Sequence, residues 1–395
     1  MKQVRCLYCG FFCSRYGKTR TGRQRWYCKE CHSVFVNPIN KTVHDFKHFI
    51  QWLFGKDVQK SMPGGGRGFR RKTSKFWEIW PMPPKIESPM NVVYVDGIYL
   101  SRKACILICC NEENVLGWYL CRYENSRAWE ALMQRIAAPA MVVSDGGHSF
   151  RKALKRVWPK AKLQRCTFHA FLQVKRYTTD RPKTIAGIEM YMIAKDLLMI
   201  KDLGQAANWV TRLINWRIRH KAFLSEITRD EKGKLRPMHE RLLKAERSLA
   251  RLVRQNTLFT YLDESLSYGE ELPSTNNRIE GGINAQLRTM LRNHRGMSIE
   301  RRIKAVFWWC YFHTPKPLSA SEILKVMPTD RSISKLYKAM NERSQLEDSI
   351  PTWGDAIVWH ELHKSNSYPI IFGIEDQLIL SYNPTCPCGG NNMIL

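Results

Sequence analysis

The sequence predicts an α/β fold, a mixed sheet with helices laid against it, preceded by a small cysteine-rich module and a basic helical segment. Three observations predict it. Apolar runs at Val92–Leu100, Ala104–Cys110 and Val115–Cys121 follow one another with turn residues between them, and a fourth, Met141–Gly147, comes after a helical stripe. Two Cys-x2-Cys pairs fall within the first 31 residues. Hydrophobic residues make up 44% of 395, with 13 tryptophans, which supplies a sizeable core, excludes a disordered chain and calls for two or three domains. No apolar run approaches the roughly 18 residues of a membrane span, and MKQVRCLYCG lacks the apolar stretch of a secretory signal. A chain that stays in the cytoplasm is expected.

Residues 1–40 read as a metal-bound ribbon. Cys6-x2-Cys9 and Cys28-x2-Cys31 each place two thiolates on one tight turn, and two such knuckles complete a tetrahedral zinc site with Zn–S near 2.3 Å. Cys13 falls outside the pattern. Between the knuckles lie Arg15, Lys18, Arg20, Arg23 and Arg25, interleaved with Tyr16, Trp26 and Tyr27, a composition suited to DNA phosphates.

Residues 41–85 read as a helix-turn-helix-like segment. Phe46, Phe49, Ile50, Leu53 and Phe54 share one helical face, and Thr42 with Asp45 has capping-box spacing. Pro63–Gly66 is a breaker. The basic stretch after it, Arg67, Arg70, Arg71, Lys72 and Lys75, completes the layout of a DNA-reading unit, although a helix followed by a basic linker has the same pattern. Pro81, Pro83 and Pro84 mark a boundary.

The strands then begin. Trp129, Leu132, Met133 and Ile136 predict the helix between the third and fourth strands. Phe150, Ala153, Leu154 and Val157 predict another that stops at Pro159. Three strands, helix, strand, helix is the order of a ribonuclease H-like sheet, over residues 90–180.

Acidic residues point to the chemistry. Asp96 lies in the middle of an otherwise apolar run, where an unpaired carboxylate would cost several kcal/mol, so a cation should compensate it. Asp145 ends a second apolar strand beside Gly146 and Gly147, at the carboxyl end where α/β sheets bind ligands. Converging carboxylates suit Mg²⁺ or Mn²⁺. Ile279, Ile283, Leu287, Met290 and Leu291 put Glu280 in the first turn of a helix, as a third metal ligand, as a partner of Asn277 in a helix cap, or as both, since a first-turn carboxylate can still point into a cleft.

The motifs YVDGIYL, VSDGGHSF, QRCTFH and TNNRIEGGINAQLR, with the zinc knuckles and the late helix RRIKAVFWWCYFHT, make the chain resemble bacterial insertion-sequence transposases of the Mutator type over roughly residues 1–330. The resemblance implies that Asp96, Asp145 and Glu280 are a metal-binding catalytic triad. It also implies a Cys-x2-His motif at Cys166 and His169, read here as supporting the site and not as zinc ligands. Asn276 has the same supporting role, and Arg288 stands eight residues after the glutamate, near where the family often carries a basic residue. Residues 181–272 take the place of the family's all-α insertion. Residues 273–315 would complete the catalytic domain, and 316–395, with Cys386 and Cys388, have no assigned role.

Charge agrees with that resemblance. Lys and Arg number 63 against 35 Asp and Glu, leaving +28, an excess that answers an acidic polymer. The expected activity is two-metal cleavage of element ends and strand transfer into target DNA. The expected enzyme binds double-stranded DNA, acts as a dimer or higher oligomer, touches no membrane and sits on the bacterial nucleoid. A structure-specific nuclease of the same fold and a non-catalytic zinc-ribbon regulator are the rival readings.

Overall fold

A computed structural model describes residues 4–6, 8–36 and 41–335 of the chain. Residues 336–395, with the acidic end of the chain and Cys386 and Cys388, lie outside the described residues. The chain divides into two units, Met1–Gln51 and Trp52–Leu395.

In the first unit, β1 (Cys13–Lys18), β2 (Gln24–Cys28) and β3 (Val34–Val36) form an antiparallel sheet in that order. Cys13 pairs with Cys28 and Arg15 with Trp26, the register shifts between Arg15 and Lys18, and both basic residues of β1 lie on an exposed strand. Cys28 and Phe35 are buried with Cys6 as the module's small core. A core this small leaves the cysteines to hold the strands together. Helix α1 (Thr42–Phe54) begins one residue earlier than the capping-box reading requires. The Asp45 N–H already donates to the Lys41 carbonyl at 2.8 Å, so Thr42 lies inside the first turn and not ahead of it.

In the second unit, α2 (Gly65–Thr73) starts within the Pro63–Gly66 breaker, with Gly64 as its N-cap. It buries Phe69 and Thr73 and exposes Arg67, Arg70, Arg71 and Lys72. Strands β4 (Val92–Leu100), β5 (Ala104–Cys110) and β6 (Val115–Cys121) form an antiparallel meander. Helix α3 (Ser126–Met133) follows, capped by the Asn125 side chain, then β7 (Met141–Ser144), α4 (His148–Val157) and β8 (Lys162–Arg165). Ile136 falls past the end of α3 and bridges to Ile86 instead. The five-stranded mixed sheet runs β6-β5-β4-β7-β8, with β7 and β8 parallel to β4. β5 and β6 are buried along their whole length, which is why their sequences show no alternation.

Helix α5 (Thr167–Thr178) precedes residues 181–272, the part of the chain expected to be all helical, and α6 (Ile185–Asp196), α7 (Leu203–Arg219) and α8 (Lys221–Leu224) lie within it. That part is not all helical. β9 (Ile227–Arg229) and β10 (Leu235–Pro237) form a hairpin there. Its turn is built by Asp230 Oδ1, which accepts the Lys232 and Lys234 N–H groups, and every residue of both strands is exposed. Three exposed residues per strand leave no apolar alternation to read. Helix α9 (Glu240–Arg254) closes a separate helical core, in which the Trp209 and Trp216 indoles donate to the Ile193 and Ala186 carbonyls at 2.7 and 3.0 Å.

After the short helix α10 (Glu264–Ser267), the chain enters a π-helical turn, Arg278–Ile283, that runs directly into α11 (Asn284–Asn293). Helix α12 (Ile299–Phe312), buried from Ile303 to Tyr311, packs against β4 and β6, and α13 (Ala320–Val326) follows with a complete Ser319–Glu322 capping box. Among the described residues no helix is long and apolar enough to cross a membrane.

Candidate active site and metal centre

Pairing between β4 and β7 brings the first two acids together. Val92 pairs with Met141 and Tyr94 with Val143; continuing that register by two residues sets Asp96 beside Asp145. Asp145 lies just past β7, where its Oδ1 accepts the Gly147 N–H at 3.0 Å. Gly146 takes φ +84°, and a Cβ there would come within 2.6 Å of the Arg165 side chain, so the glycine lets that guanidinium lie against the backbone beside Asp145.

The π turn supplies the third acid. Asn277 has helical backbone angles and makes no side-chain cap, so the capping-box reading of Glu280 fails. Glu280 N–H bonds to the Asn276 carbonyl at 3.1 Å, and the turn is anchored to the sheet by Asn276, which is fully buried and donates Nδ2 to the Val95 carbonyl at 3.1 Å. Single π turns recur at functional sites because they re-aim side chains.

Asp96, Asp145 and Glu280 sense one another electrostatically. Burial first, and the neighbouring carboxylates next, raise Asp96 to about 6 and Glu280 to about 7. Arg288 opposes both shifts, so its charge reaches the site from α11. The compensation expected for Asp96 comes also from Asn284, whose Nδ2 donates to Asp96 Oδ2 at 2.7 Å. The three carboxylates do not form one tight cluster. Glu280 instead gathers with Cys166 and His169, whose ligand atoms all lie within 4.8 Å of one another.

Three functional candidates escaped the sequence reading. Asn284 stands one helical turn after Glu280, a spacing that could have singled it out. Arg165 precedes Cys166 at the end of β8 and responds to the charges of Asp145 and Glu280. Glu124, in the loop after β6, is raised to about 7 by burial and by Asp145 and Asp96. Its Oε1 lies 2.6 Å from where a Cβ on Gly97 would stand, so it is a fourth acid beside the site.

These raised acids set a pH dependence. Their ordinary values are 3.8 for Asp96 and 4.5 for Glu280 and Glu124. A carboxyl raised in the folded state adds stability that is complete below its unfolded value and lost as pH rises through its folded one. The metal-free chain should therefore lose stability between about pH 4 and pH 7 through these groups. Added Mg²⁺ should raise the thermal midpoint more at pH 8 than at pH 5.5, because the ion needs ionised oxygens. Scanning fluorimetry at the two pH values checks this; an equal Mg²⁺ shift at both would count against metal binding by these acids.

The ribbon gathers its sulfurs as expected. Cys6, Cys9, Cys28 and Cys31 form one cluster within 4.8 Å, with Cys6 Sγ 3.5 Å from Cys31 Sγ and Cys9 Sγ 3.4 Å from Cys28 Sγ. Hydrogen bonding with Ser33 holds the Cys31 thiol down to about 6, which favours a thiolate ligand. Arg15, Lys18 and Arg20 are exposed, while Arg23 and Arg25 are half-buried, with the Arg25 guanidinium 5.3 Å from the Tyr16 ring centre. Cys28→Ser should release zinc and unfold β1–β3, because metal binding supplies most of the folding energy of so small a module. A chromogenic chelator assay reads the loss; unchanged zinc content would overturn the assignment.

Comparison with known proteins supports the resemblance. Residues 95–246 match the family model described as Transposase, Mutator family. The matched stretch includes Asp96, Asp145, Cys166 and His169 and stops short of Glu280. A transposase for insertion sequence element IS905 from Lactococcus lactis subsp. lactis is 30% identical over 100 residues, which cover 21% of this chain and 26% of that protein. The alignment thus spans about a quarter of that relative's length.

Proposed function

We propose that this chain is a DNA transposase that binds the ends of an insertion sequence and catalyses strand cleavage and strand transfer from Asp96, Asp145 and Glu280 on a ribonuclease H-like sheet. The observation that carries the reading is the β4–β7 register that sets Asp96 beside Asp145, with Asn284 of the helix continuing the Glu280 turn bonded to Asp96, in a chain of net charge +28. Gathering like charges costs stability, and a cation-dependent reaction on an anionic polymer accounts for that cost.

The oxygen-only donor set of the triad fits Mg²⁺ or Mn²⁺. Bound there, such ions would supply charge neutralisation and activate the attacking oxygen in a phosphoryl displacement. The chain's own residues do the rest. Asn284 orients the Asp96 carboxylate, Asn276 ties the Glu280 turn to β4, and Arg165 and Arg288 carry positive charge toward the phosphate. No side-chain nucleophile is needed, since water and then the freed 3′-OH attack phosphorus. Arg15, Lys18, Arg20, Arg23 and Arg25 of the ribbon, held by Zn²⁺ at four cysteines, and Arg67, Arg70, Arg71 and Lys72 of α2 contact the duplex. Each phosphate contact should add close to one unit to the salt slope of binding. Joining two ends to one target favours at least two copies of the chain on DNA, acting in the cytoplasm at the nucleoid.

The test uses DNA carrying the element's ends, a plasmid target and Mg²⁺. End cleavage with covalent joining to the plasmid is expected. Cleavage without joined product would favour a nuclease, and binding without cleavage a regulator.

A further inference from the structure

We propose that Cys166, His169 and Glu280 form a second metal site of the zinc class, which draws Glu280 away from the other two acids. The proposal rests on the triad reading above for what it regulates, and on local geometry for the site itself.

The geometry begins at the start of α5. Cys166 is its N-cap residue and His169 lies three residues on, so the two side chains leave the same turn. Cys166 is buried, and its sulfur accepts the Asn276 N–H at 3.2 Å, which fixes it against the segment that leads into the π turn. His169 Nδ1 and Glu280 Oε1 are 3.1 Å apart. They are not aligned for a hydrogen bond, and each is a buried polar atom without a partner.

Two unsatisfied buried atoms facing each other, with a thiol sulfur beside them, form an expensive arrangement. A cation between them would satisfy all three at once. Sulfur, imidazole nitrogen and carboxylate oxygen are a mixed donor set that suits Zn²⁺ or Co²⁺ and not the oxygen-seeking Mg²⁺. Three protein ligands on a tetrahedral ion leave one position open. Burial pushes the Cys166 thiol above its usual range and the Asn276 and His169 N–H groups pull it part of the way back, so it is a bound cation that would make it a thiolate.

Glu280 makes the site regulatory. It stands in a cluster with Cys166 and His169, while Asp96 and Asp145 belong to no such cluster with it. A soft ion bound in that cluster holds the carboxylate on the α5 side. The hard-metal site then keeps two of its three acids, so zinc should weaken Mg²⁺ or Mn²⁺ binding.

The test counts metal in the full chain and does not depend on DNA cleavage. After loading with Zn²⁺ and dialysis, two equivalents per chain are expected, one at the ribbon and one here. Cys166→Ser and, separately, His169→Asn should each leave one equivalent, and Asp145→Asn should leave two. Replacing zinc by Co²⁺ should give thiolate-to-metal absorption that weakens in Cys166→Ser. Mn²⁺ titrated into the chain and followed by electron paramagnetic resonance should bind about tenfold more weakly when the second zinc equivalent is present.

A single equivalent in the wild-type chain would overturn the site. Two equivalents with Mn²⁺ affinity unchanged would overturn the regulation. Because neither readout requires cleavage, a chain that binds two zincs yet joins no DNA ends even after the second zinc is stripped would refute the transposase reading alone.

Discussion

Asp145→Asn should lower strand cleavage by roughly 10³-fold or more while leaving the fold and DNA binding in place. Asp145 sits beyond β7, and its one protein hydrogen bond to a neighbouring backbone group is from Gly147 N–H at 3.0 Å. An asparagine oxygen can accept that bond, so the loop should hold its shape. What the substitution removes is one negative charge from a site where Asp96 and Glu280 already respond to it. Relief of that repulsion should tighten DNA binding, since phosphates approach the same place. Cleavage should suffer because the lost charge is what neutralises the metal ions. Circular dichroism, a gel-shift titration and a nicking assay separate the three outcomes. Asp145→Cys adds a softer ligand, and Mn²⁺ should restore part of the activity where Mg²⁺ does not. Full cleavage by Asp145→Asn would remove the residue from the triad, and full cleavage by Glu280→Gln would require another third acid, with Glu124 the nearest candidate.

The two aspartates were legible for a simple physical reason. A carboxylate inside an apolar run or at the end of a buried strand conflicts with its surroundings, and that conflict is visible in one dimension. The knuckles were legible because both cysteines of each pair fall within one turn. Asn284 was nearly so, one helical turn after Glu280. Arg165 and Glu124 were not, because each is an ordinary charged residue at a strand end. Their meaning comes from β8 lying beside β7 and from the loop after β6 folding over Gly97.

The Glu280 turn misled for a different reason. Asn followed three residues later by Glu describes a capped helix equally well, and only the backbone distinguishes a π turn from it. The β9–β10 hairpin was hidden because six exposed residues in two strands carry no burial pattern. Where burial imposes a pattern the sequence can be read, and where a site depends on neighbours distant in the chain it cannot.

Lys304 is a case of the second kind, and it yields the largest expected stability effect. Its side chain is completely buried in α12, and its Nζ donates to the Trp77 carbonyl at 2.6 Å and to both Asp330 oxygens at 2.7 Å, with Glu300 at 3.3 Å and the Trp80 ring 4.6 Å away. Asp330 also accepts the Trp80 indole N–H at 2.6 Å, so one ion pair fastens the segment after α2 to α12 and to the segment after α13. The two halves of the pair are not equivalent. The Asp330 side chain is 42% exposed and can turn to water, whereas Lys304 has no exposed surface. Lys304→Met should therefore cost about 2 kcal/mol, mainly from the lost buried hydrogen bonds to the Trp77 carbonyl and Asp330. Asp330→Ala should cost about 3–5 kcal/mol, because it strands an ammonium in the core with Glu300 as its remaining carboxylate. The double variant should cost less than the sum of the two, since removing the lysine removes the stranded charge. Urea midpoints for the four chains complete the cycle. If Asp330→Ala were no more destabilising than Lys304→Met, the buried ammonium would not depend on Asp330.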